Sequence, residues 1–68
     1  MIIDFYTAHI KEISIPVTDT VCRQAYAVYR MGHYTTPDGY IHRLYDELFN
    51  VYSDRDVAEA VVELIENQ

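Results

Sequence analysis

The side chains with the most chemistry to offer are three histidines and one cysteine: His9, His33, His42 and Cys22. Together they could ligate a metal. No two of them stand at i, i+4, and there is no Cys-x-x-Cys, so the spacing that puts two ligands on one face is missing. They are expected as surface or half-buried side chains, with no metal and no cofactor. His42 and Asp46 stand one helical turn apart and suit an ordinary side-chain pair.

Carboxylates are the next candidates. General acid–base chemistry needs two of them converging on one reacting group. Asp46 and Glu47 are neighbours and diverge on a helix. Asp54 and Asp56 stand where a helix should begin, and negative charge there offsets the helix dipole. The only glycines, Gly32 and Gly39, are too far apart to form a phosphate loop. The chain therefore reads as a non-enzyme.

Surface chemistry remains. Asp56, Glu59, Glu63 and Glu66 recur at three- and four-residue steps, which puts them on one face of a final helix. From Asp54 onward there are five acids and one base. A solvated face that keeps a small protein soluble is one reading of this stripe. A docking surface for a basic protein is the other. Seven tyrosines and no tryptophan add a second signal. Tyr26, Tyr29, Tyr40 and Tyr45 fall on apolar stripes and are expected in the core. Tyr34 and Tyr52 fall in linkers, where a ring either covers the core or meets a partner. The candidate partner-binding residues are thus Asp56, Glu59, Glu63, Glu66, Tyr34 and Tyr52.

Composition narrows the classes further. The formal net charge is −6 and the sequence pI is near 4.7, which opposes binding to a phosphate backbone. The five basic residues, Lys11, Arg23, Arg30, Arg43 and Arg55, form no run. Cys22 cannot close an internal disulfide and is expected as a small buried hydrophobe in a reducing compartment. Met1-Ile2-Ile3-Asp4 is too soon charged for a signal peptide. No apolar run approaches the roughly 20 residues needed to cross a bilayer. A cytoplasmic protein is expected.

Breaking and capping residues recur at Asp4, Pro16–Thr18, Gly32, Thr36–Pro37 and Ser53. Between them the apolar spacing predicts four short helices. The first runs from about Asp4 to Ile13, with Ile2, Ile3, Tyr6, Ile10 and Ile13 at helical steps. A strand competes there: Phe5, Thr7, His9, Lys11, Ile13, Ile15 and Val17 alternate. Three polar members interrupt that face, and the helix is favoured. The second helix opens on Thr18 as N-cap, carries Val21, Ala25, Val28 and Tyr29 on one face, and closes on Gly32. Thr36-Pro37-Asp38-Gly39 reads as a turn or as a capped helix start. Tyr40, Ile41, Leu44, Tyr45, Leu48 and Phe49 follow as an amphipathic stripe. The last helix starts at Ser53 and faces Val57, Val61, Leu64 and Ile65 inward, with Ala58, Ala60 and Val62 flanking. Helices this short must pack on one another, and their short connections predict an all-α, compact orthogonal four-helix domain over the whole chain.

Phe5-Tyr6, then Asp19 with Val21, Ala25 and Tyr29, then Tyr34, Pro37 and Tyr40-Ile41 form a pattern from Phe5 to about Tyr45. It resembles the YozE family of small bacterial and phage proteins, which has a sterile-alpha-motif-like (SAM-like) four-helix fold. The linker departs from the family: the proline does not directly follow the aromatic, and Gly39 replaces an acid before the tyrosine. The last helix lies outside the match. The resemblance implies that fold and brings no activity to individual residues.

These features together predict a small acidic non-enzymatic protein-binding module, such as a phage or mobile-element modulator of a host protein. A nucleic-acid-binding helical domain is the alternative, and it would need Arg23, Arg30 and Arg43 to converge. Self-association into a homo-oligomer is a further expectation, since small domains gain stability by pairing apolar faces.

Overall fold

The computed structural model describes residues 3–44 and 46–67, so Ile2 and Tyr45 of the expected apolar stripes lie outside the described residues. The chain is an antiparallel sheet followed by one helix. β1 (Phe5–Pro16) and β2 (Cys22–Thr35) form a long hairpin. β3 (Ile41–Arg43) and β4 (Glu47–Tyr52) follow one another along the other side of β2. α1 (Arg55–Glu66) then lies across one face of the sheet. The four-helix, SAM-like architecture is overturned: only the last of the four expected helices exists among the described residues.

The reason lies in β2. As the central strand it is flanked on both sides, and its run Ala25-Tyr26-Ala27-Val28-Tyr29 is apolar in both alternating sets. A run that is apolar on both faces has no period of two and matches helical spacing by default. β1 shows the alternation that the helical reading outweighed. Tyr6, Ala8 and Ile10 face α1, while Phe5, Thr7, His9 and Lys11 take the opposite face by the pleat. Polar members on the second face are no obstacle, because that face meets water.

Turn chemistry explains the misread caps. Thr18 Oγ1 accepts from Val21 N–H at 3.1 Å, and Val17 N–H donates to Val21 O at 2.9 Å. The expected N-cap thus closes the β1–β2 hairpin; hydroxyl-to-backbone bonds serve both purposes. Thr36-Pro37-Asp38-Gly39 is a turn, with Gly39 N–H donating to Thr36 O at 2.9 Å and Gly39 at φ 91°. Gly32, expected as a helix C-cap, lies within β2. A Cβ there would come within 3.2 Å of Ile3 and 3.3 Å of Leu44.

α1 is capped by Asp54 rather than Ser53: the Asp54 carboxylate accepts Asp56 N–H at 2.9 Å. The helix is also rotated from its expected setting. Ala58 and Ile65 are buried with Val61 and Val62 beside them, whereas Val57 and Leu64 are exposed. The small Ala58, fully buried, lets the helix axis approach the sheet. Val28 is the fully buried side chain beneath it, ringed by Tyr6, Ala8, Ile10, Tyr26 and Tyr52. Arg55 ties the helix start to Glu12 on β1 at 3.3 Å.

The result is long and thin, 54 × 21 × 14 Å, with a radius of gyration of 15.2 Å. A compact chain of this length would have about 11 Å.

Candidate functional site

One helix covers one face of the sheet. Among the described residues no element lies over the other face, and its side chains follow from the register. Cross-strand rows place Phe5 beside His33 and Arg43, His9 beside Tyr29 and Leu48, and Lys11 beside Ala27 and Val51. Ile13 beside Ala25 and Ile15 beside Arg23 extend the face toward the hairpin turn.

Ala25 and Ala27 are 4% and 1% exposed because larger neighbours on the sheet close over them. The exposed apolar side chains of this face are Ile15 at 42%, Leu48 at 55% and Val51 at 37%. Toward the other end, aromatic rings set the surface. Phe5 stacks on His33 with centroids 4.6 Å apart, and Thr7 Oγ1 is 2.9 Å from His33 Nε2. That bond accounts for a buried histidine in an otherwise solvent-facing layer. His9 stacks on Tyr29 at 5.5 Å and meets Asp46 at 3.8 Å.

Charge divides between the two faces. Lys11, Arg23 and Arg43 belong to the open face by register. The helix side carries Glu12, Asp56, Glu59, Glu63 and Glu66. Arg30 is also on the helix side, over the rings of Tyr6 (5.0 Å) and Phe49 (5.3 Å) and paired with Glu47. Arg23, Arg30 and Arg43 therefore do not converge.

The residues singled out from sequence are dispersed. Asp56, Glu59, Glu63 and Glu66 do lie on one helix, and two of them are occupied. Glu59 pairs with Arg55 at 3.2 Å, and Glu66 accepts the Ala8 N–H at 3.3 Å. Tyr52 is half-buried against the core at Val28. Tyr34 stacks on His42 at 5.3 Å. Tyr34 lies on β2 itself and Tyr52 pairs with Tyr26, eight residues away on that strand, or about 26 Å along it. His42 and Asp46, expected as a pair, go to Tyr34 and His9 respectively. Cys22, expected buried, is exposed at the start of β2. Tyr40, expected in the core, is 68% exposed. Tyr29, expected there too, is half-buried on the open face.

Among the described residues no group of three or more His, Cys, Asp or Glu is placed to hold a metal ion. Among these residues no helix is long and apolar enough to cross a membrane. The open face itself was legible only as the alternating set Phe5, Thr7, His9, Lys11, Ile13, Ile15. No family model, curated protein or solved structure matches the chain.

Proposed function

We propose that this chain is a small non-enzymatic protein-binding module of the cytoplasm, which docks through the open face of its sheet. The observation that carries this reading is a sheet face lined by Phe5, Ile15, Leu48 and Val51, over which no element lies among the described residues. Exposed apolar side chains gathered on one uncovered face, here interleaved with basic ones, mark a contact site. Tyr29 and Phe5 supply rigid aromatic area. The acidic outer side of α1 gives long-range attraction to a basic partner and speeds encounter, while the sheet face provides the contact area. Such a module modulates a host protein by covering part of its surface.

The test is capture from a cell lysate by immobilised wild type and by Leu48→Glu, a substitution at an exposed position of this face. A stoichiometric partner held by wild type and lost by the variant supports the reading. No partner, or equal capture by both, overturns it.

A second reading has one specific observation in its favour. Lys11, Arg23 and Arg43 share the open face with Phe5, Tyr29 and His33. Cations interleaved with rings form the surface on which single-stranded nucleic acid stacks. A gel shift with single-stranded oligonucleotides at low salt decides it, since low salt favours any electrostatic binding. A null result there discards it.

A further inference from the structure

Ion pairing differs between the two sides of the sheet. Eleven acids stand against five bases, so a base with no acid beside it is the uncommon state. On the helix side both bases are paired, Arg30 with Glu47 and Arg55 with Glu12 and Glu59. The other three, Lys11, Arg23 and Arg43, are exposed on the open face. Among the described residues none of these three forms an ion pair. Asp46, beside His9, is the carboxylate that meets this face.

The net charge of −6 does not govern this face. The outer acids of α1 are separated from it by the sheet and by a helix about 10–12 Å thick. That is more than the screening length of about 8 Å at physiological salt. A ligand on the open face therefore meets cations first.

Dimensions narrow the shape of that ligand. From the Arg43 row to the Arg23 row is ten residues of β2, or about 33 Å. The strands on either side of β2 are about 10 Å apart. One helix of about 22 residues has that length and width. An extended segment has no such place, because the edges resist strand addition. Along β1, Glu66 occupies the Ala8 N–H. The opposite edge is broken between β3 and β4 and bulged where Tyr29 pairs with Leu48 and Val28 with Asn50.

We propose that the open face holds an acidic amphipathic helix of another protein. Its apolar stripe lies on Tyr29, Leu48 and Val51, and its acids meet Lys11, Arg23 and Arg43. This rests on the reading of that face as a protein-docking surface and assigns the chemistry of the docked segment. Lys11 is on β1 and Arg43 on β3, at opposite margins, so the helix carries acids on both flanks of its apolar stripe. Once bound, it makes a helix–sheet–helix sandwich around β2. The acidic side of α1 then acts on parts of the partner beyond this contact. A single-stranded nucleic acid would answer the cations but not Ile15, Leu48 and Val51, which offer no ring for a base to stack on. A second copy of the chain would set these cations against their own kind.

An amide NMR titration of the full chain with a designed peptide tests this. The probe has about 22 residues, with leucine along one stripe and glutamate on both flanks; its control carries lysine for every glutamate. A net charge of −6 by itself favours the lysine peptide. The expected result is the opposite on this face: the glutamate peptide shifts the amides of Lys11, Leu48 and Val51, and the lysine peptide does not. Lys11→Glu and Arg23→Glu each weaken the glutamate peptide by about fivefold, while Leu64→Glu, on the exposed side of α1, leaves it within about twofold. The amide spectrum shows in the same measurement that each variant is folded. A glutamate peptide that binds on α1, or nowhere at millimolar concentration, overturns the proposal. So does a lysine peptide that binds the open face equally well, or an oligonucleotide that takes this face when the glutamate peptide does not.

The docking reading fails separately. Lys11 is the only lysine in the chain, so a carbodiimide, which joins an amine to a carboxylate with loss of water, marks what lies against it. A partner captured through Leu48 and joined to Lys11 by an Asp or Glu supports both readings. A partner captured through Leu48 with no bond at Lys11, touching this face with basic residues, would sink the acidic helix and leave the docking surface standing.

Discussion

Val28→Ala probes the centre of the fold. Val28 has no exposed surface and lies where α1 meets the sheet, against Ala58 and Ile65. The substitution removes two buried carbons, worth about 1.6 kcal/mol at roughly 0.8 kcal/mol each. The gap left under the helix adds about 1 kcal/mol, because α1 is held at its start by Arg55–Glu12 and cannot settle fully into it. The expected loss is about 2–3 kcal/mol. A chain of 68 residues has a total stability of about 3–10 kcal/mol, so a large share is lost. Urea unfolding followed by circular dichroism measures it, at one fixed protein concentration because association would add to the apparent stability. Val21→Ala is the matched control. In a helix Val21 and Val28 would share a face, whereas here Val21 is 53% exposed beside the hairpin turn and its truncation costs about 0.5 kcal/mol or less. Equal losses for the two variants would refute the sheet and restore the helical reading of this segment.

Two further predictions concern the ends of elements. Asp54→Ala removes the carboxylate that accepts Asp56 N–H and costs about 1 kcal/mol in urea unfolding, while Ser53→Ala costs a few tenths at most. The reverse order would mean that Ser53 is the cap. The Thr36 hydroxyl donates to Asp38 and, with backbone N–H bonds, holds its carboxyl below the ordinary aspartate value. A carboxyl depressed in the folded state adds stability above its unfolded value, near 3.8, and that contribution fades as pH falls through the folded value. Thr36→Val removes the main cause, and an NMR titration should find Asp38 moved up toward 3.8; an unmoved midpoint would show that the hydroxyl is not the cause.

The small core and the large open face are one fact seen twice. Val28, Ala58 and Ile65 are the buried cluster between helix and sheet, and Tyr6, Ile10, Tyr26 and Tyr52 close it only partly. A chain of this size gains little from so thin a core. Covering the other face would add a second apolar layer on β2, the strand already apolar on both sides.

Much of the punctuation is local, and the sequence alone determined where it falls. Pro16–Thr18 closes one element, Thr36–Gly39 turns the chain, Ser53–Asp54 opens the helix, and Asp56, Glu59, Glu63 and Glu66 stripe it. Each rests on bonds between residues a few positions apart, such as Thr18 to Val21 and Asp54 to Asp56. Only the tertiary structure decided what lies between those marks. Val21, Ala25, Val28 and Tyr29 satisfy a helical period, yet β1 on one side and β4 on the other hold that stretch extended, with register partners as distant as His9 and Tyr52. Spacing within one segment carries no information about those partners. The same holds for the open face, which exists because a single helix can cover only one side of the sheet it follows.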